Sequence, residues 1–250
     1  EQAMKFIEEN KESPFFCYLA FNAPHTPLQV PEKYYQQYKD IDPASGFGND
    51  NRPFPVMTEK NKEDARKVYA MVTNIDDNIG KLLKKLDDLD IADNTLIIFM
   101  TDNGPQQIRY VGGMRGRKGD VYQGGGRVPF YMRYSSFEKN KAIETTAAHI
   151  DILPTLAQLC HVQLPDDRII DGKSLVPLID GEEVDWDNRS LFFYWTRRYP
   201  EPYNNMALRK GSYKLVGKTN YNATVKDFEL FNLETDPYEQ KNIVSENESI

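Results

Sequence analysis

Val68, Val72, Ile75, Ile79, Leu82, Leu86 and Leu89 are spaced alternately by four and three residues, the period of an amphipathic helix with one apolar stripe. Such a seam could form a coiled coil, but it covers only about three heptads and runs straight into a strand, so packing against a sheet is the better reading. After the turn residues Asp93 and Asn94 comes Thr95-Leu96-Ile97-Ile98-Phe99-Met100, a nearly continuous apolar run of the kind buried on both faces of a parallel sheet. A helix that delivers the chain into such a strand is βαβ grammar, so the expected class is α/β with a mostly parallel sheet.

The rest of the chain can be placed around that unit. Residues 1–10 read as the end of a helix with Met4, Phe6 and Ile7 on its apolar side. Ser13-Pro14 breaks it before a strand over residues 15–21. Asn22-Ala23-Pro24-His25-Thr26-Pro27 follows, a stiff loop in which two prolines flank a histidine. Residues 31–55 read as a short helix around Tyr34, Tyr35 and Tyr38 and then an irregular excursion. Seven of the fifteen glycines lie between Gly112 and Gly126, so that loop must turn sharply or let its backbone approach something closely. A strand over 128–134, a helix over 151–160 that Asp151 could cap, and a short helix over 174–179 before Gly181 come next. From Arg189 onward short aromatic strands alternate with turns, among them Lys210-Gly211-Ser212, which is hairpin grammar. The expected organisation is a larger α/β part over residues 1–188 and a small antiparallel subdomain over 189–250.

Thirty-one basic and 38 acidic residues give a net charge of −7, which argues against a general nucleic-acid binder needing a basic face. No run approaches the roughly 18 consecutive apolar residues of a membrane span. The chain starts at Glu1 inside a helical pattern without an initiator methionine, which reads as a piece of a longer precursor. Cys17 and Cys160 both sit in apolar surroundings and are expected to be buried thiols. Glycosylation sequons begin at Asn188, Asn222 and Asn247, a short pattern that also arises by chance.

Candidate chemistry gathers at a few places. Thr101-Asp102-Asn103-Gly104 ends the best strand, the edge of an α/β sheet where ligands bind. A carboxylate beside a carboxamide suits a hard cation such as Ca²⁺, but Asp-Asn-Gly is also ordinary turn chemistry. Lys118, set among glycines, could meet an anion or simply be solvated, and His25 could be catalytic or structural. His149 and His161 flank an apolar helix without metal-ligand spacing and read as bystanders.

The order of these pieces changes their weight. Phe-Asn-Ala-Pro-His-Thr-Pro at 21–27, Asp76-Asp77-Asn78-Ile79-Gly80, Thr-Asp-Asn-Gly at 101–104, and Arg115-Gly-Arg-Lys-Gly119 followed by Tyr122 and Arg127-Val-Pro-Phe130 resemble the type I sulfatases in the same order. So do the segments at 149–155, 171–175, 209–215 and 229–237. The resemblance covers nearly the whole chain and implies an alkaline-phosphatase-like α/β sandwich, of which this chain looks like the carboxyl-terminal portion. It implies cleavage of sulfate esters by a formylglycine nucleophile beside Ca²⁺. Carried over by position, Asp102 and Asn103 match the later pair of calcium ligands, Lys118 a sulfate-contacting lysine, and His25 a histidine that contacts sulfate near the leaving oxygen. The family also implies export to a periplasmic, extracellular or lysosomal space.

Departures from the family pattern are equally specific. The Cys/Ser-x-Pro-Ser-Arg maturation motif is absent, and no strand bearing the early aspartate ligands precedes His25, so the missing amino-terminal part is an expected partner. Arg117 stands where family members commonly have glycine, and Gly126 where they commonly have an apolar residue. Arg117 adds a cation beside the presumed sulfate site, and the run Tyr194-Trp195-Thr196-Arg197-Arg198-Tyr199 could line a pocket for a sulfated sugar, with Arg197 as the contact residue. Packed strand residues with solvated arginines explain the same run. Two other functions stay open: a phosphodiesterase or phosphonate hydrolase of the same superfamily, for which three histidines and Asn103 are poorly suited, and a non-catalytic binding module.

Overall fold

The computed structural model describes residues 1–45, 56–186 and 188–247. The later part of the excursion expected over 31–55, and the end of the third sequon, lie outside these residues. Helices α1 (Gln2–Glu9) and α2 (Glu32–Tyr35) precede the 30-residue α3 (Glu59–Asp88). Thr58 starts α3 with a capping box: its hydroxyl accepts the Asn61 N–H at 3.2 Å while the Asn61 side chain accepts the Thr58 N–H at 3.0 Å. Of the expected stripe Val68 and Leu86 are buried, Val72 is exposed and the other members are half-buried, while Ala65, Ala70 and Met71 add buried positions beside it. α2 and the residues after it lie along α3, through Tyr34 to Asp77, Tyr35 to Glu63 and Tyr38 to Thr73.

The chain then enters β1 (Ile97–Met100), which pairs antiparallel with β2 (Phe130–Arg133) from Ile97↔Arg133 to Met100↔Phe130. Between them lies α4 (Gln123–Gly126), a single turn. The α/β class stands, but both sheets of the described residues are antiparallel, against the expectation of a mostly parallel one. A parallel neighbour needs a crossover that brings a second strand alongside in the same direction. Residues 15–21, the upstream strand candidate, enter no ladder, and Phe16 and Tyr18 are 74% and 77% exposed. β1 is accordingly half-buried rather than covered on both faces.

Helices α5 (Ile152–Leu159) and α6 (Val176–Asp180) follow, the second closed by Gly181 at φ 78°. Strands β3 (Ser190–Tyr194), β4 (Asn204–Lys210), β5 (Tyr213–Lys218) and β6 (Glu229–Asn232) then form one antiparallel sheet in chain order, as the aromatic pattern predicts. Gly211 (φ 55°) and Ser212 make the two-residue turn between Lys210 and Tyr213. This sheet does not stand apart. Ala207, Val216, Phe231 and Leu233 form one buried cluster with Val121 and Tyr122, so the four strands pack on the end of the glycine-rich loop.

Both cysteines are exposed, contrary to the expected burial. Cys17 lies on the unpaired stretch just described, and Cys160 is the residue that closes α5, past its packed face. No helix among the described residues is long and apolar enough to cross a membrane.

Candidate active-site loops

The turn that ends β1 and the glycine-rich loop are laced together through backbone. The Gly104 N–H donates to Gly125 O at 2.8 Å, the Lys118 N–H to Pro105 O at 2.9 Å, and the Gly124 N–H to Arg115 O at 2.7 Å. A side chain on Gly104 would collide with the Gly124 carbonyl, so the crowding of glycine that looked like turn chemistry is also close approach of backbone to backbone. Asp102, Asn103 and Lys118 thereby belong to one loop cluster at the end of β1. Asp102 is exposed; Asn103 and Lys118 are half-buried.

The Asn103 carboxamide donates its N–H to Gly104 O at 2.9 Å, which turns its oxygen into the atom left for a cation. With the Asp102 carboxylate it gives two hard oxygen donors, right in kind for Ca²⁺, which takes about six to eight. The described residues hold no group of three or more His, Cys, Asp or Glu able to bind a metal, so this chain fits part of such a site and not a whole one.

His25 hydrogen-bonds within its own loop: its backbone N–H donates to Asn22 O at 3.0 Å and its ring Nδ1 meets Thr26 O at 2.8 Å. A carbonyl oxygen only accepts, so Nδ1 is the donor in that contact. No hydrogen bond joins this loop to the Asp102–Lys118 cluster among the described residues. Arg117 is exposed, its backbone N–H donating to Asp120 at 3.2 Å.

Arg197 lies 5.7 Å from the Trp195 ring centre, and a Cβ on Gly119 would stand 3.4 Å from the same indole. Trp195 thus bridges Arg197 to the residue after Lys118. The Asn205 amide fixes this corner by donating to Gly119 O at 2.7 Å and Trp195 O at 3.0 Å. Trp195, Arg197, Tyr199, Asp120 and Lys218 line an open cleft of about 490 Å³, in which Lys218 pairs with Asp120 at 2.8 Å.

Several residues that hold these loops or the segments around them carry no local signal. Asp151, expected as a helix cap, makes no cap bond to α5; its carboxylate accepts Ala148 N–H, at the start of the turn before that helix, and Lys173 N–H, and grips Arg189 at 2.6 and 2.7 Å. Burial pushes the Asp151 carboxyl up, but Arg189 and the two amides outweigh it and hold the group below the usual carboxylate range. His149, read as a bystander to the chemistry, has its Nε2 2.8 Å from Thr101 O, directly before Asp102. Glu229 accepts Arg115 at 2.9 Å and the Tyr122 hydroxyl; burial, then this bond, pushes the Tyr122 phenol up. Their sequence separations, 38 residues for Asp151 and Arg189 and 114 for Arg115 and Glu229, hide such pairs from any local pattern.

The Sulfatase family matches residues 1–162. The chain belongs to the sulfatase family. A second match, N-sulphoglucosamine sulphohydrolase, C-terminal, covers residues 117–250. Steryl-sulfatase of Homo sapiens is 31% identical over 205 residues, 77% of this chain and 31% of that protein. An arylsulfatase of Clostridium perfringens is 28% identical over 272 residues, 99% of this chain and 53% of that protein. The crystal structure of Ps i-CgsB in complex with k-i-k-neocarrahexaose superposes with a TM-score of 0.77 at 27% identity, covering 99% of this chain and 50% of that one. The chain therefore spans about half, or less, of the length of the sulfatases it matches.

Proposed function

We propose that the whole protein hydrolyses sulfate esters and that this chain supplies the downstream part of its active site. The backbone lacing that sets Asp102 and Asn103 against the Lys118 loop carries this reading, because it joins a cation-binding pair to an anion-binding lysine in a sulfatase fold. Asp102 and the Asn103 oxygen would hold Ca²⁺. Lys118 brings an ammonium to sulfate, and its neighbour Arg117 adds an exposed positive charge. His25, with its proton on Nδ1 committed to Thr26, exchanges a proton with the leaving oxygen through Nε2. When bound, Ca²⁺ supplies charge stabilisation to the sulfuryl group, and the formylglycine expected upstream supplies the nucleophile.

The substrate in this reading is a sulfated carbohydrate. Trp195 offers a ring face and Arg197 a cation beside Gly119, and a neocarrahexaose is bound by one structural relative. Export to a periplasmic, extracellular or lysosomal space is part of the same proposal, as is the division at residues 188 and 189. The test is hydrolysis of an aryl sulfate by the whole protein, coexpressed with a formylglycine-generating enzyme, against an aryl phosphate and against the 250-residue chain alone. Sulfate turnover by the whole protein only is expected. Dominant phosphate turnover would move it to the phosphodiesterases, and inertness toward both esters and toward sulfated oligosaccharides would leave a binding scaffold.

A further inference from the structure

Lys118 stands on a loop whose support comes from the far end of the chain. The carbonyls of Arg115, Gly116, Arg117 and Asp120 lie so close on α4 that a Cβ on Gly124 would stand 2.7 Å from Arg115 O, and one on Gly125 2.6 Å from Arg117 O. α4 is thus the floor under the lysine's loop, and its height sets where the loop rests. Its first amide, Gln123 N–H, donates to Glu239 Oε2 at 2.6 Å. The other oxygen, Oε1, accepts Lys214 Nζ from β5 at 2.7 Å.

This contact is costly in two ways, through burial of its charges and through backbone conformation. Glu239 is fully buried and Lys214 nearly so, and a buried ion pair is weak evidence for stability because desolvation offsets its attraction. Burial pushes the Glu239 carboxyl up and the Lys214 ammonium down, each opposed by the other's charge. Glu239 also sits at φ 56°, the left-handed region that residues with a Cβ disfavour. An apolar pair would fill the space at lower cost, but it would leave the Gln123 amide without an acceptor.

We infer that Glu239, whose buried charge Lys214 neutralises, is a positioning residue: it fixes α4 through the Gln123 amide and so sets the placement of the Lys118 loop. The inference rests on the reading of Lys118 as a sulfate-contacting residue. Arg115 reinforces the arrangement, with one nitrogen 2.9 Å from Glu229 and 3.4 Å from Glu239 O.

Two double variants of the whole protein separate positioning from mere stability. E239Q/K214M and E239M/K214M both replace the ion pair by neutral side chains of similar size, but only the first keeps an oxygen for the Gln123 amide. Both are compared with wild type by thermal melting, kcat and KM for an aryl sulfate, competitive inhibition by inorganic sulfate, and hydrogen exchange over residues 112–126. E239Q/K214M is expected to keep a kcat close to wild type. E239M/K214M is expected to lose at least about tenfold in kcat, within the about 100-fold that a 1 Å misplacement can cost, and to bind sulfate more weakly and exchange faster in the loop. Equal kcat and equal loop exchange in the two variants would overturn the inference. If the wild type turns over no sulfate ester, the functional reading fails but the exchange data still decide: faster exchange in E239M/K214M alone upholds positioning of the loop, and unchanged exchange refutes it.

Discussion

Arg189→Met strips the partner from a carboxylate that has no access to water. Asp151 is 0% and Arg189 9% exposed, and the pair is bidentate at 2.6 and 2.7 Å. Breaking a buried pair by removing one member costs about 3–5 kcal/mol, since the remaining charge is uncompensated. Asp151 keeps the Ala148 and Lys173 amides after this change, which places the loss near the lower end, about 3 kcal/mol. Asp151→Asn should be worse, about 5 kcal/mol, because one carboxamide oxygen cannot serve both amides and Arg189 is stranded as well. The double variant D151N/R189M should cost less than the sum of the two, because neither charge is then left alone. Urea titration of the whole protein, followed by circular dichroism, reads all three. The pH dependence is fixed in sign: the folded pKa of Asp151 lies below the unfolded value of about 3.9, so the pair's contribution is intact above that value and is lost as pH falls through the folded one. The gap between wild type and D151N, which has no group to titrate there, should be flat from about pH 7 to 5 and close only in acid. Losses below about 1 kcal/mol, the level of an exposed pair, strict additivity, or a gap that closes near neutrality would each refute the reasoning.

Three further outcomes are expected. Gly104→Ala drives a methyl into the Gly124 carbonyl and should reach or exceed the roughly 1–3 kcal/mol of an overpacked site, measured by thermal melting. Asp102→Ala should weaken Ca²⁺ binding to the whole protein by more than the about 10–100-fold typical of outer-shell changes, read by calorimetry, while Asp93→Ala, in the turn before β1, should leave the affinity unchanged. Arg197→Ala should raise KM for a polysulfated glycan more than for a simple aryl sulfate, and equal effects would remove the residue from the substrate site.

The elements with short-range logic were legible in the sequence: the α3 stripe, the run into β1, and the hairpin strands after Arg189, with Gly211 at the turn. β1 showed the limits of such logic, since its apolar run announces burial but does not say which partner provides it. Lys118 and Asp102 could be named from spacing and resemblance, yet neither reveals that their loops share backbone bonds. The supports of the site were not legible. Glu239 lies in a plain Pro-Tyr-Glu-Gln stretch, and only the fold brings it to Gln123, 116 residues away. Asp151 looked like a helix cap because a cap and an ion-pair anchor use the same side chain.

The backbone crowding of Gly104, Gly124 and Gly125 divides the site for anyone wishing to redesign it. Those three positions tolerate no added atom without moving a neighbouring segment of backbone, so a library that randomises them fills with unfolded members. Arg117 and Arg197 are both exposed, so other polar side chains fit there, at position 197 with loss of the contact to the Trp195 ring. Under the proposed function, substitutions that probe ester specificity belong at those two arginines and at Tyr199, on a frame of glycines left as they are.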